Sequence, residues 1–100
     1  EGFEMAVLQG TASALKDPSL LAIIIELNGC CHRYGIKEEE IHDLIIGYGF
    51  LPVSYNPFER TCSKRNTFNP GGNTIYVRNE AETGKRLQTA RKFRVLNQTI

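Results

Sequence analysis

Leu20-Leu21-Ala22-Ile23-Ile24-Ile25-Glu26-Leu27-Asn28-Gly29-Cys30-Cys31-His32 is an unbroken apolar run that stops in a polar, glycine-containing cluster. Residues 20–25 are apolar at every position and include three consecutive isoleucines. The run is too short for a good globular helix and lacks the alternation of a half-wet strand. It reads as a strand over residues 20–27 buried on both faces, which usually means a parallel sheet between helices. In open α/β sheets the ligand crevice lies beyond the carboxyl ends of the strands, so Glu26, Asn28 and His32 fall where chemistry is expected. The plainer reading stands beside it: Glu26 and Asn28 cap the strand and form a turn with Gly29.

Upstream of this strand, Met5, Leu8, Ala12 and Leu15 recur at spacings of three and four, which predicts one amphipathic helix from Phe3 to Lys16 or Asp17. Pro18 ends it by disfavouring the helical conformation of the preceding residue, and Gly10 is a weak point inside it. Glu1 and Gly2 read as a turn that normally follows a strand, so the natural chain is expected to extend upstream. Downstream, Ile41, Leu44, Ile45 and Tyr48 mark a second helix begun near Lys37 and ended by Gly47 or Gly49. Glu38, Glu39 and Glu40 lie in its first turn, where acids suit the helix dipole, and read as a solvated helix start.

Residues 50–58 resume an extended pattern, and Pro52, which cannot donate to a ladder, makes this an outer strand. Residues 59–72 read as a long polar loop closed by the turn Asn69-Pro70-Gly71-Gly72. Residues 74–78 alternate as a strand, with Ile75 and Val77 on one face and Tyr76 and Arg78 on the other. A short helix over residues 80–90 follows. The stretch 85–94, with Lys85, Arg86, Arg91, Lys92 and Arg94 around Phe93, reads as a solvated tail.

The 100 residues make a single domain, and a hydrophobic content of 41% argues against wholesale disorder. A net charge of +1 supplies no global field for nucleic acid or an anionic membrane, so neither is expected as a partner. The apolar run is far short of the ~20 residues of a membrane helix, and no signal peptide opens the chain. The three cysteines form no disulfide framework, which predicts reduced thiols and a cytoplasmic location. One histidine beside two cysteines is below the count for a structural zinc site, so no metal is expected.

Three stretches together resemble the carboxyl-terminal half of the FkbM family of S-adenosylmethionine-dependent methyltransferases. Glu1-Gly2-Phe3-Glu4, followed by Val7-Leu8-Gln9-Gly10, is similar to the end of the family's Asp-x-Glu-Gly-x-Glu motif and its following helix. Ile24-Ile25-Glu26-Leu27-Asn28 resembles its fifth strand. Gly47-Tyr48-Gly49-Phe50 through Tyr55-Asn56-Pro57-Phe58, then residues 73–79 and the Leu87-Gln88-Thr89-Ala90 tail, resemble its closing strands.

The resemblance implies an α/β fold: the C-terminal part of a three-layer, Rossmann-like class I methyltransferase sheet whose last strand runs antiparallel. That strand, residues 73–79, is expected between residues 20–27 and residues 50–55. The implied activity is methyl transfer from S-adenosylmethionine to a hydroxyl of a sugar, glycan or polyketide-like acceptor, a direct displacement helped by alignment and removal of the hydroxyl proton. Glu26 or His32 is then the expected base, Glu1 and Gly2 lie near the methyl donor, and Glu4 and Asn28 face the acceptor. The glycine-rich cofactor loop, the acid for the ribose hydroxyls and the aspartate two residues before Glu1 are not in this sequence. The isolated chain is therefore expected neither to bind S-adenosylmethionine tightly nor to turn over. Without a fourth strand beside it, the strand at residues 20–27 is an apolar sheet edge, and self-association through it is expected. The competing reading is a small, non-catalytic α/β binding or assembly module.

Overall fold

The computed structural model describes residues 2–100, the side chain of Cys31 excepted. The elements in chain order are α1 (Glu4–Gly10), α2 (Ala12–Lys16), β1 (Ala22–Glu26), a 3-10 turn (Cys30–Tyr34), α3 (Glu38–Gly47), β2 (Leu51–Asn56), β3 (Thr61–Lys64), β4 (Asn73–Val77), α4 (Glu80–Thr89), β5 (Arg94–Val95) and β6 (Gln98–Thr99). Among the described residues no helix is long and apolar enough to cross a membrane.

The first helix is two helices rather than one. Thr11 leaves helical geometry at φ −108° and ψ 24°, and its hydroxyl donates back to the Val7 and Leu8 carbonyls at 3.0 and 3.2 Å. A threonine bonding back in this way bends a helix, and it does so directly after the weak position Gly10. The apolar stripe survives the break, since Leu8 and Leu15 are both buried. Termination follows Pro18: α2 ends at Lys16 and Asp17 is extended.

Four strands form one sheet in the order β1-β4-β2-β3, and every neighbouring pair is antiparallel. β1 and β2 thus run parallel to each other with the reversed β4 between them. No neighbouring pair is parallel, contrary to what the apolar run suggested. β2 is an interior strand, not an outer one. The strand outside it, β3, forms from residues read as loop, and β2 pairs with it only from Val53 onward, just past Pro52. The proline is tolerated because it sits at the strand's start, where Arg65 N–H reaches its carbonyl at 2.9 Å.

Helices cover the two faces unequally. Leu8, Leu15, Ile41 and Ile45 pack with Leu27, Phe50, Phe68 and Tyr76, and Ile23 and Ile25 join this cluster. On the opposite face α4 presents Thr83 and Leu87 towards Val77, Ile75 and Tyr55. It leaves Ile24 68% exposed. β1 is therefore not buried on both faces: its burial alternates along the strand, and its outer edge carries no strand among the described residues.

Arg78, just after β4, ties the main face together. Its guanidinium donates to the carbonyls of Leu15, Asp17 (2.6 Å) and Tyr48 (3.2 Å) and lies 4.1 Å from the centre of the Phe50 ring. Those carbonyls end α2 and α3, where a cation suits the helix dipole. Arg78→Ala is expected to lower stability in urea unfolding by about 2 kcal/mol, because it strands the part-buried Leu15 and Tyr48 carbonyls. Arg78→Lys recovers only part, since one ammonium cannot reproduce a planar fork stacked on an aromatic ring.

Candidate functional site

The turn after β1 gathers most of the residues singled out from the sequence. Buried Leu27 anchors the strand's end. The Asn28 carboxamide oxygen accepts from Cys30 N–H at 3.2 Å, an Asx turn that starts the 3-10 segment. Asn28 thus takes the plainer role open to it in the sequence. The chain leaves the turn through Gly35, at φ +69°, and enters α3.

His32 projects from this turn onto Glu38, the first residue of α3. Its Nε2 lies 2.8 Å from Glu38 Oε2; the histidine side chain is 63% exposed, the carboxylate side chain only 9%. Glu38 is therefore not part of a solvated helix start, unlike its exposed neighbours Glu39 and Glu40. An ionised carboxylate only accepts, so a neutral imidazole facing one in this pair carries its proton on Nε2 and its lone pair on Nδ1. Glu38 Oε1 is buried with no hydrogen-bond partner among the described residues. A cavity of about 230 Å³ lies beside His32, Gly35, Ile36 and Lys37.

The amino-terminal turn seats on the same segment. Gly2, buried at φ +85°, leaves no room for a side chain: a Cβ there would lie 2.9 Å from the Cys30 carbonyl and 2.8 Å from Tyr34 Cε2. Phe3 stacks on Tyr34 with ring centres 4.7 Å apart. Glu1 lies outside the described residues. Glu4, in the first turn of α1, lines a groove of about 310 Å³ with Phe3, Val7 and the outer edge of β1. Glu26, exposed at the end of β1, shares a face with Ala22 and Ile24. The His32–Glu38 pair is anchored to α3 on the other face, so the two candidate bases are not brought together.

Glu38 is the functional candidate that sequence reasoning missed. The triplet of acids hid it, although the spacing from His32 across a glycine to a helix start is visible in the sequence. A second cavity, about 320 Å³, lies between β2, β3 and α4 and is lined by Arg60, Cys62, Lys64, Glu80 and Gln88 among others. Burial and then the Glu80 charge push the Cys62 thiol up, which keeps it protonated and a poor nucleophile. In the core, the Tyr76 hydroxyl lies 2.7 Å from His42 Nδ1, and burial, aided by Asp43, pushes it up to about 12.

Long-range proton–nitrogen NMR is expected to find His32 as the Nε2–H tautomer in the wild type and as a mixture in Glu38→Gln, whose amide can accept or donate. An unchanged tautomer in the variant would show that Glu38 does not set it. No protein-family model, curated protein or solved structure matches the chain.

Proposed function

We propose that the chain is the carboxyl-terminal part of a Rossmann-like, S-adenosylmethionine-dependent O-methyltransferase of FkbM type, acting on a hydroxyl of a sugar, glycan or polyketide-like acceptor. The observation that carries this reading is the reversed strand β4 between parallel β1 and β2. It is the order that the resemblance implies for the closing strands. The seating of Gly2 against the turn after β1 supports the reading as well, because the motif before α1 and the mouth of β1 then form one surface. The setting on this reading is the cytoplasm, where cysteine thiols are kept reduced.

On this reading the glycine-rich loop and the ribose-binding acid lie outside these residues, so the chain by itself is not expected to hold S-adenosylmethionine. The cavity beside His32, at about 230 Å³, is by itself below the roughly 300–1,000 Å³ of small-molecule pockets. What this chain contributes is the acceptor side. His32 Nδ1 would take the proton of the acceptor hydroxyl while Glu38 holds the ring through Nε2. Glu26 is the alternative base, and Glu4 and Asn28 remain candidates for acceptor contacts. Calorimetric titration of the chain with S-adenosylmethionine is expected to show no micromolar binding; such binding would refute an upstream cofactor site. In the chain extended upstream along its own reading frame, methyl transfer to hydroxylated acceptors is expected, and His32→Ala should lower kcat by about a hundredfold or more. Absence of transfer from the extended chain sinks the assignment.

The open edge of β1 favours a second reading, an assembly module. Its outward N–H and C=O groups form a row that another strand can complete, beside the apolar groove of Phe3, Val7 and Ile24. The occupant this edge suits is a second copy. Light scattering is expected to give a mass above that of the monomer, restored to monomer by Ile24→Lys; a strictly monomeric wild type at high concentration counts against self-association.

A further inference from the structure

The carboxyl-terminal hairpin combines three features that the folded core does not explain. Its charge is segregated: residues 90–100 hold Arg91, Lys92 and Arg94 and none of the eleven acids. A total of +1 conceals this, because the acids all lie in residues 1–82. Its tip is apolar and bare, with Leu96 90% exposed and Phe93 and Val95 more than half-exposed or near it. And Leu96 occupies the left-handed region at φ +55°, a turn position that favours glycine or asparagine.

The hairpin is nevertheless well held. Phe93 and Ile100 exchange both backbone hydrogen bonds, at 2.7 and 2.8 Å, below the β5–β6 pairs. Buried Arg60 donates to the Ala90 and Arg91 carbonyls at 2.6 and 3.0 Å, which fixes the base of the hairpin to the β2–β3 turn. That turn brings Pro57 and Phe58, itself 62% exposed, beside Val95, Leu96 and Ile100, around a hollow of about 410 Å³. Two segments far apart in sequence thus build one apolar tip, with the Arg91 guanidinium 5.7 Å from the Phe93 ring centre and Arg94 Nε donating to the Leu96 carbonyl at 3.2 Å; Lys92 adjoins them in sequence.

We infer that this tip docks on an anionic lipid surface, with Leu96 and Phe58 entering the headgroup boundary and Arg91, Lys92 and Arg94 lying against acidic headgroups. Charge complementarity selects the occupant. A second copy would set three cations against three, with no acid in either tip to offset their repulsion. A nucleic acid would satisfy the cations and offer bases to stack on Phe58 and Phe93, but it would leave aliphatic Leu96 and Val95 in water. Hydrocarbon and acidic headgroups together satisfy both, by the arrangement that basic, amphipathic surface segments use. The contact lies on the membrane surface, and it is independent of the methyltransferase reading.

The test is cosedimentation with phosphatidylcholine vesicles with and without about 30% phosphatidylserine. Partitioning is expected to be at least tenfold stronger with phosphatidylserine and to fall steeply by about 0.5 M salt. Leu96→Asp, at an exposed turn, should fold normally by circular dichroism and bind about tenfold less. Each of Arg91→Gln and Lys92→Gln should cost about fivefold. Binding indifferent to phosphatidylserine, or undiminished by Leu96→Asp, overturns the proposal. So does a single-stranded oligonucleotide that outcompetes the vesicles.

Discussion

The Arg78 guanidinium is the tie on which the main face depends. Two helices end against it, and the aromatic ring of Phe50, the residue before β2, lies under it. A helix end carries carbonyls without internal partners, and burying two such ends side by side is costly unless one donor serves both. One planar cation at the exit of β4 does so, which sets α2, α3 and the sheet in a common frame around Tyr76 and Phe50. The apolar cluster then fills the space that this frame defines.

Much of that frame was legible from the residues. Periodicity gave the helices around Leu8, Leu15, Ile41 and Ile45, and Pro18 gave the stop before β1. The order of β1, β4 and β2 followed from the resemblance. The failures are of one kind, in which a local pattern was overruled by what surrounds it. A run such as Leu20 to Ile25 reads as doubly buried because its residues are apolar, yet α4 reaches only part of the open face and Ile24 stays in solvent. Pro52 argued for an edge, but it lies just before the β2–β3 ladder begins at Val53, and the polar Thr61–Lys64 segment pairs outside it. The break at Thr11 depends on a side-chain hydroxyl choosing the Val7 carbonyl, which periodicity cannot see.

The site shows the same limit. His32 and Asn28 were visible because they follow a strand's end, and the structure keeps them on one turn. Glu38 was not, because three adjacent acids at a helix start look alike in sequence while only one of them is turned inward onto the imidazole. Glu26, in contrast, falls by alternation along β1 on the face of Ala22 and Ile24, while His32 is paired with Glu38. A carboxylate and a histidine six residues apart can therefore be near neighbours across two faces or partners in a pair, and the fold alone distinguishes them.

The strand order also bears on how the chain reaches its shape. β1 pairs with β4, about fifty residues downstream, whereas β2 and β3 are joined by a short turn. During synthesis the β2–β3 hairpin and α3 can form while the isoleucines of β1 still lack their only strand neighbour among the described residues. Loop closure over that distance is slow relative to local contacts, and an apolar strand waiting for its partner is vulnerable to pairing with the wrong chain. The same β4 that completes the sheet thus sets the length of the interval in which the edge of β1 is open to mispairing.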